Sequence, residues 1–485
     1  MTNLRPLKKT GCMKAIISSV LLGSVFLFLA GCSKSHDQTV TISDQQFTAG
    51  SYIQNGDTLN SKNGSNGRSV KGTLKSGQTY YLCSLYADAT INSGDTLVVQ
   101  NDVKVLVVGP NTGAGAIGTQ DHAPGLVING TFLCLGTKDK PNWFTVADAS
   151  LKSDPSKDPQ DPKSDPAFKG YWGGFQGGSG CGDIIIKWTH IEYTGGLAPL
   201  SGPKPGSARY GIIVANSTGT NNFVLEDSWL YGCANDVVRP AGGKYEIFRN
   251  TFEKIGLTAG ECVNVKSGSV GDIGYNLVVG GTGNAFKAAN AGGLSPQASM
   301  ICYNNTVITT GYRQAKAGEG GSIDFEQAGR GLAYNNILVN CAYGLGIRGG
   351  GGTVPIADTA NIKYGYTYNY GDLTDFTTQF LPVGFITVAQ ASDINGGNAT
   401  TPGANNPKFV NYPLPAAAGT NFSAADYVGS FNFHLGTGSP AIGKGNVSFV
   451  AAAVVKKDPI FGVTEITAPG KDMGAFQTDG TGNQH

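Results

Sequence analysis

The sequence predicts an all-β chain, a right-handed parallel β-helix solenoid closed by a C-terminal cap. Three observations carry this expectation. A short phrase recurs through the middle of the chain; glycine is very abundant, with 72 residues in 485; and no persuasive run of apolar residues at i, i+3, i+4 follows the first segment. A β-propeller, the second choice, would need longer antiparallel blades.

The recurring phrase is a polar turn residue, any residue, a large apolar residue, then a glycine a few positions on. It reads Thr189-His190-Ile191 with Gly195, Asp227-Ser228-Trp229 with Gly232, Asn250-Thr251-Phe252 with Gly256, and Asn276-Leu277-Val278 with Gly280. Asn305-Thr306-Val307 with Gly311 and Asn336-Ile337-Leu338 with Gly344 continue it. After Asp227 the steps are 23, 26, 29 and 31 residues, the length of one solenoid coil with loops of varying size; the first step, 38, needs a longer insertion. A coil of three short strands cannot bury its apolar side alone, so such units must stack. Apolar triplets such as Ile184-Ile185-Ile186 and Ile212-Ile213-Val214 supply the strands, and glycine and asparagine supply the turns because they tolerate positive φ cheaply. Asn250, Asn276, Asn305 and Asn336 fall at one point of successive coils and are expected to form an internal hydrogen-bonded ladder.

At the amino terminus, Lys8, Lys9 and Lys14 precede an apolar run from Ala15 to Leu29. This is the order of a signal peptide, too short for a comfortable membrane span, which needs about 20 apolar residues. Met13-Lys14 is a second workable start. The run ends in Leu29-Ala30-Gly31-Cys32, which resembles the lipobox of bacterial lipoproteins. That resemblance implies lipidation of Cys32 and, with no aspartate directly after it, an outer-membrane or cell-surface address. The expected organisation is a signal peptide over 1–31, a lipidated tether over 32–45, a β-helix body over 46–350, and closing coils with a cap over 351–485.

Further phrases point to a family. Gly72-Thr73-Leu74, Thr79-Tyr80-Tyr81-Leu82, Ala89-Thr90-Ile91-Asn92-Ser93-Gly94-Asp95 and Gly136-Thr137-Lys138-Asp139-Lys140-Pro141 open the body. Tyr171-Trp172-Gly173-Gly174 and the run from Lys187 to Gly196 follow. Near the end stand Asn406-Pro407-Lys408-Phe409-Val410, Phe431-Asn432-Phe433-His434-Leu435, Gly438-Ser439-Pro440-Ala441-Ile442-Gly443 and Asp472-Met473-Gly474-Ala475-Phe476. Together they resemble the Bacteroidetes-type cell-surface lipoproteins of the pectate-lyase-like β-helix superfamily; Asn142 departs from the family phrase. The resemblance implies that the last stretches finish the solenoid and cover its open edge. It identifies a fold far better than a reaction.

Charge and cysteine usage bound the function. A formal net charge of +1 and 14% charged residues imply neither a nucleic-acid partner nor an anionic membrane surface, and a monomer is expected. Besides Cys12 and Cys32, the seven cysteines Cys83, Cys134, Cys181, Cys233, Cys262, Cys302 and Cys341 are widely spaced; they read as buried free thiols, not a zinc site or disulfide framework. The five histidines are scattered without metal-ligand spacing. No metal or cofactor is specified. Calcium stays open through the aspartates of the stretch 152–169, which is rich in Asp-Pro steps and reads as an exposed insertion.

Candidate ligand-binding residues come from the strands after each repeat. Val238-Arg239, Val265-Lys266, Phe286-Lys287, Phe325-Glu326 and Ile347-Arg348 each put a charge after a large apolar residue. Alternation along strands would set these five charges in one outward column, with Asp324 on the face of Glu326, Asn264 on that of Lys266, and Arg330 near enough to join. Such a column, flanked by Tyr312 or Tyr343, could grip an acidic or hydroxyl-rich glycan, since arginine holds a carboxylate through two hydrogen bonds. In a lyase, Lys266 or Lys287 would abstract the proton beside a uronate carboxylate, though neither has a visible partner to lower its pKa. Asp236 stands alone, so the paired carboxyls of a glycosidase are not seen. Three functions stay open: a surface lipoprotein binding carbohydrate or mediating adhesion, a polysaccharide lyase or related enzyme, and a structural envelope spacer.

Overall fold

The computed structural model describes residues 47–61, 69–109, 123–153, 162–200, 204–350, 355–372, 380, 384–424, 429–455 and 468–485. The signal peptide and the whole tether over 32–45, Cys32 included, lie outside these residues. Phe409–Asn411 and Asn432–Leu435 pair antiparallel. All the other described strands form three parallel sheets, in which neighbouring strands are three places apart along the chain except at Ile394–Gly396, which follows its partner Tyr368–Tyr370 directly. This is the parallel β-helix solenoid that the repeats predict. Ten strands make the first sheet, from Gly72–Leu74 to Ile362–Gly365; eleven make the second, from Thr79–Cys83 to Ile394–Gly396; nine make the third, from Ala89–Ile91 to Gly346–Ile347.

The interior follows from alternation. Val238, Val263, Val265, Phe286, Ala288, Ile323, Phe325 and Ile347 of the third sheet point inward and are wholly buried, in one continuous core with residues of the other two sheets. Cys134, Cys181, Cys233, Cys262, Cys302 and Cys341 are thiols, not disulfides, and are buried in that core. At the corner before the second sheet, the expected ladder is present. Asn250 Nδ2 donates to Asn276 Oδ1 at 3.0 Å, Asn276 Nδ2 to Asn305 Oδ1 at 3.0 Å, and Asn305 Nδ2 to Asn336 Oδ1 at 2.9 Å. The same oxygens accept the backbone N–H of the preceding rung, so each amide fastens two coils.

One repeat sits a residue away from its expected register. Ser228, not Asp227, occupies the ladder, its Oγ accepting from the Thr189 N–H, and Trp229 pairs in register with Thr251 while Leu230 pairs with Phe252. Trp229 therefore points outward. Large apolar character misled the reading because this outer face is itself aromatic.

The phrase Tyr171-Trp172-Gly173-Gly174 has a packing reason. Trp172 is buried and its indole donates to the Glu192 carbonyl at 2.7 Å. Arg209 lies so close over Gly125 and Gly173 that a Cβ there would fall 2.5 and 2.3 Å from its guanidinium. That room lets Arg209 form a two-pronged pair with Asp88, at 3.0 and 2.9 Å.

Two expectations about accessory segments are corrected. The described part of the Asp-Pro stretch does not leave the solenoid: the 3-10 turn Pro166–Phe168 packs on it, and buried Asp165 meets Lys254 Nζ at 2.9 Å. The closing stretches lie along the flanks of the solenoid. Phe409, Phe433, Met473, Ala475 and Phe476 pack on the outward apolar residues Leu277, Val279, Ile308, Ile337, Val339, Tyr368 and Tyr370 of the second sheet. Val455 and Phe449 lie with outward residues of the first, including Phe248 and Tyr303. An outer face this apolar would otherwise be an aggregation hazard.

Candidate functional site

The outer face of the third sheet carries the charges that the sequence marks out. Its strands hold Arg239 within Val238–Pro240, Asn264 within Val263–Val265, Lys287 within Asn284–Ala289, and Asp324 with Glu326 within Gly321–Glu326; Lys266 and Arg348 directly follow strands. Register divides the expected single column into two. Asn264 pairs with Lys287, Lys287 with Asp324, and Asp324 with Gly346, and continuing the Val238–Val263 pair places Arg239 beside Asn264. Two residues on, Ala289 pairs with Glu326, and the same registers set Lys266 and Arg348 in that second column. Both columns face outward. They span five coils, about 19 Å at roughly 4.8 Å per coil.

Neither a flat solvated face nor a free basic track results. Lys266, Lys287, Asp324, Glu326 and Arg348 are each at most 8% exposed, and most are paired. Arg348 makes three hydrogen bonds to the Asp324 carboxylate, at 2.9 to 3.1 Å, and its third nitrogen donates to the Gly318 carbonyl at 2.9 Å. Its guanidinium lies 4.3 Å over the Phe385 ring. Lys287 Nζ lies 2.5 Å from Glu261 Oε1 and 3.5 Å from Glu326 Oε1. Arg239 donates to Asp236 Oδ2 at 2.7 Å and stacks 4.4 Å over the Tyr210 ring. Buried charges persist only with such partners.

Asp236 is thus not alone. Its carboxylate also accepts the Glu261 backbone N–H at 3.1 Å and the Asn264 amide at 2.9 Å, and that amide lies 3.2 Å from Glu261 Oε2. Burial, and then the adjacent Asp236 charge, push Glu261 up to about 8. Burial would raise Asp236 too, but a hydrogen bond from Glu261 and the Arg239 charge hold it below the ordinary range. The two carboxyls therefore titrate together, not independently. The spacing Asp236-x-x-Arg239 and Glu261-x-x-Asn264 on consecutive coils was the sequence signal for these two acids.

Lys266 differs from its neighbours. Among the described residues its ammonium has no hydrogen bond or ion pair, and the positions flanking it along the stack are the short Ala241 and Ala289. Burial first, then the Arg239 and Lys287 charges, lower it to about 8, against the opposing pull of Glu261 and Glu326. Burial works against Lys287 as well, yet its two carboxyl partners outweigh that and raise its pKa. Burial raises Asp324 to about 6 in spite of Arg348. The Asn264 side-chain oxygen, on a residue 3% exposed, is buried and also has no partner.

Two expected participants are not part of this network, and a third, Tyr343, borders it through the Phe385 ring beneath Arg348. Arg330 opens the strand Arg330–Tyr334 of the first sheet, so it does not join the network. Tyr312 packs with Phe422, at 5.2 Å between ring centroids, and Tyr343 with Phe385 at 6.0 Å.

On the second sheet, sequence reasoning missed an aromatic column. Trp143, His190, Trp229 and His485 stack at successive centroid distances of 3.5, 4.2 and 3.9 Å, with planes within 20° of parallel. Burial lowers both histidines to about 3, so they stack as neutral rings. Among the described residues no group of three or more His, Cys, Asp or Glu side chains is arranged to hold a metal ion.

Comparison with models of protein families, with curated proteins and with solved structures finds no match for this chain.

Proposed function

We propose that this protein is a lipid-anchored β-helix of the cell surface whose third sheet binds extracellular carbohydrate. The observation that carries this reading is the buried polar network from Arg239 to Arg348, rigid through its mutual pairing yet with hydrogen-bonding capacity left over at Lys266 and Asn264. Groups fixed in advance by their neighbours lose little freedom when a ligand arrives. Sugar hydroxyls both donate and accept, and so fit a face that mixes acids, amides and cations. The anchor follows from the Leu29-Ala30-Gly31-Cys32 ending.

A lyase is the second reading, and one observation favours it. An amine held near 8, as Lys266 is, has the proton affinity of a general base at neutral pH. One experiment addresses both. The chain from Ser33 onward is run through gels containing acidic or neutral polysaccharides, with and without calcium, while unsaturated-product absorbance is followed. Retardation lost on Lys266→Ala substitution supports binding; Arg239 and Arg348 are left in place because their removal would strand Asp236 and Asp324. New absorbance moves the protein to the lyases. Silence in both favours an adhesion or spacer role.

A further inference from the structure

We propose that Lys266 is the seat for an anionic substituent of the sugar ligand, a carboxylate or a sulfate ester. This deepens the glycan-binding reading and rests on it.

The argument begins with charge pairing. Four cations and four acids make up the network, and three of the cations are met by carboxyl groups: Arg239 by Asp236, Lys287 by Glu261 and Glu326, and Arg348 by Asp324. Glu261 and Glu326 are both held by Lys287, at 2.5 and 3.5 Å. Lys266 is left as the uncompensated cation among the described residues. It is 7% exposed, and an ammonium withdrawn from water without a counter-charge is costly. An arriving anion would supply that counter-charge, in the field of Arg239 and Lys287 on the coils to either side. A neutral sugar would not.

Geometry supports the same ligand. Ala241 and Ala289 flank Lys266, so no long side chain at those positions reaches over it. The seat therefore offers one charged donor, which matches an anionic group on a sugar ring. Acids facing Lys266 are already engaged by Lys287, so they do not repel an incoming anion with full charge.

The test compares the chain from Ser33 onward with Lys266→Gln and Lys266→Arg. Probes are polygalacturonate, a sulfated galactan and a neutral galactan, at fixed ionic strength, by gel retardation and calorimetry. Charge-assisted hydrogen bonds of about 1.5–3 kcal/mol make the expected loss for K266Q roughly tenfold to hundredfold on an anionic probe. K266R should retain binding. The two anionic probes separate a carboxylate ligand from a sulfate ligand. Retention of none of the three by the unsubstituted chain overturns the glycan-binding reading itself. Equal retention of neutral and anionic probes, or unchanged K266Q, overturns the anion seat alone. Should K266Q fail to fold, a pH series decides: binding of the unsubstituted chain to the anionic probe should weaken from pH 7 to 9.5 while K266R stays level, and parallel profiles refute the seat.

Discussion

Lys266→Met should make the protein more stable at neutral pH, an unusual direction for a substitution at a buried position. The folded chain holds this amine at about 8 instead of the ordinary 10.5, because burial and the Arg239 and Lys287 charges disfavour the protonated form. At about 1.36 kcal/mol per tenfold change in proton affinity, that difference corresponds to about 3 kcal/mol. The sign follows from proton counting. Below about pH 8 the amine is charged in both folded and unfolded chains, and the folded chain bears the whole penalty. Between about 8 and 10.5 the unfolded chain binds a proton that the folded chain lacks, so stability rises with pH. Above that range the penalty is gone. Methionine has a similar length and no charge, so the variant should gain up to about 3 kcal/mol at pH 7 and little at pH 10.5. Urea unfolding followed by tryptophan fluorescence, at both pH values for both chains, measures this. A variant less stable than the parent at pH 7, or a gain equal at both pH values, would refute the reasoning.

Asn276→Ala should cost about 2–4 kcal/mol by the same assay, since it strips the buried Asn250 N–H and Ile247 carbonyl of their amide partner and breaks the ladder to Asn305. Asp324→Ala should cost about 3–5 kcal/mol because it strands the buried Arg348 guanidinium; Arg348→Met in the same chain should recover much of that loss, and a double variant as unstable as the single one would speak against the pairing argument. In native chains beginning at Ser33, a thiol reagent should label Cys83, which is only half-buried, and reach the six buried cysteines only after unfolding. Trp229→Ala should loosen the carboxy-terminal segment by removing the ring beneath His485, seen as faster trimming by a carboxypeptidase; unchanged trimming would mean that the Asn483 side-chain bonds hold the segment without the stack.

The class of fold was legible because a solenoid writes its period into the chain. Each coil must bring an asparagine or a small hydroxyl to the same corner and apolar residues to the same inward positions, so the requirement repeats about every 22 to 31 residues from Ser228 to Asn336. The rungs at Asn250, Asn276, Asn305 and Asn336 were read directly for that reason. Parity along a strand likewise told which of Val265 and Lys266, or Phe325 and Glu326, faces out. What the chain alone did not decide was register between coils. Loops of unequal length separate the strands, so residues at similar places in sequence, such as Arg239 and Lys266, settle in columns two residues apart. The same freedom moved Trp229 outward into a stack with His190 and His485, and brought the closing segment back along the flanks. Partnership is the last thing that only the tertiary structure could assign. Asp236 meets Glu261, and Lys287 meets two carboxyls, across coils that sequence separation hides. Lys266 is left without a described partner because its neighbours in the stack are alanines, and a side chain's environment is set by what other coils place beside it.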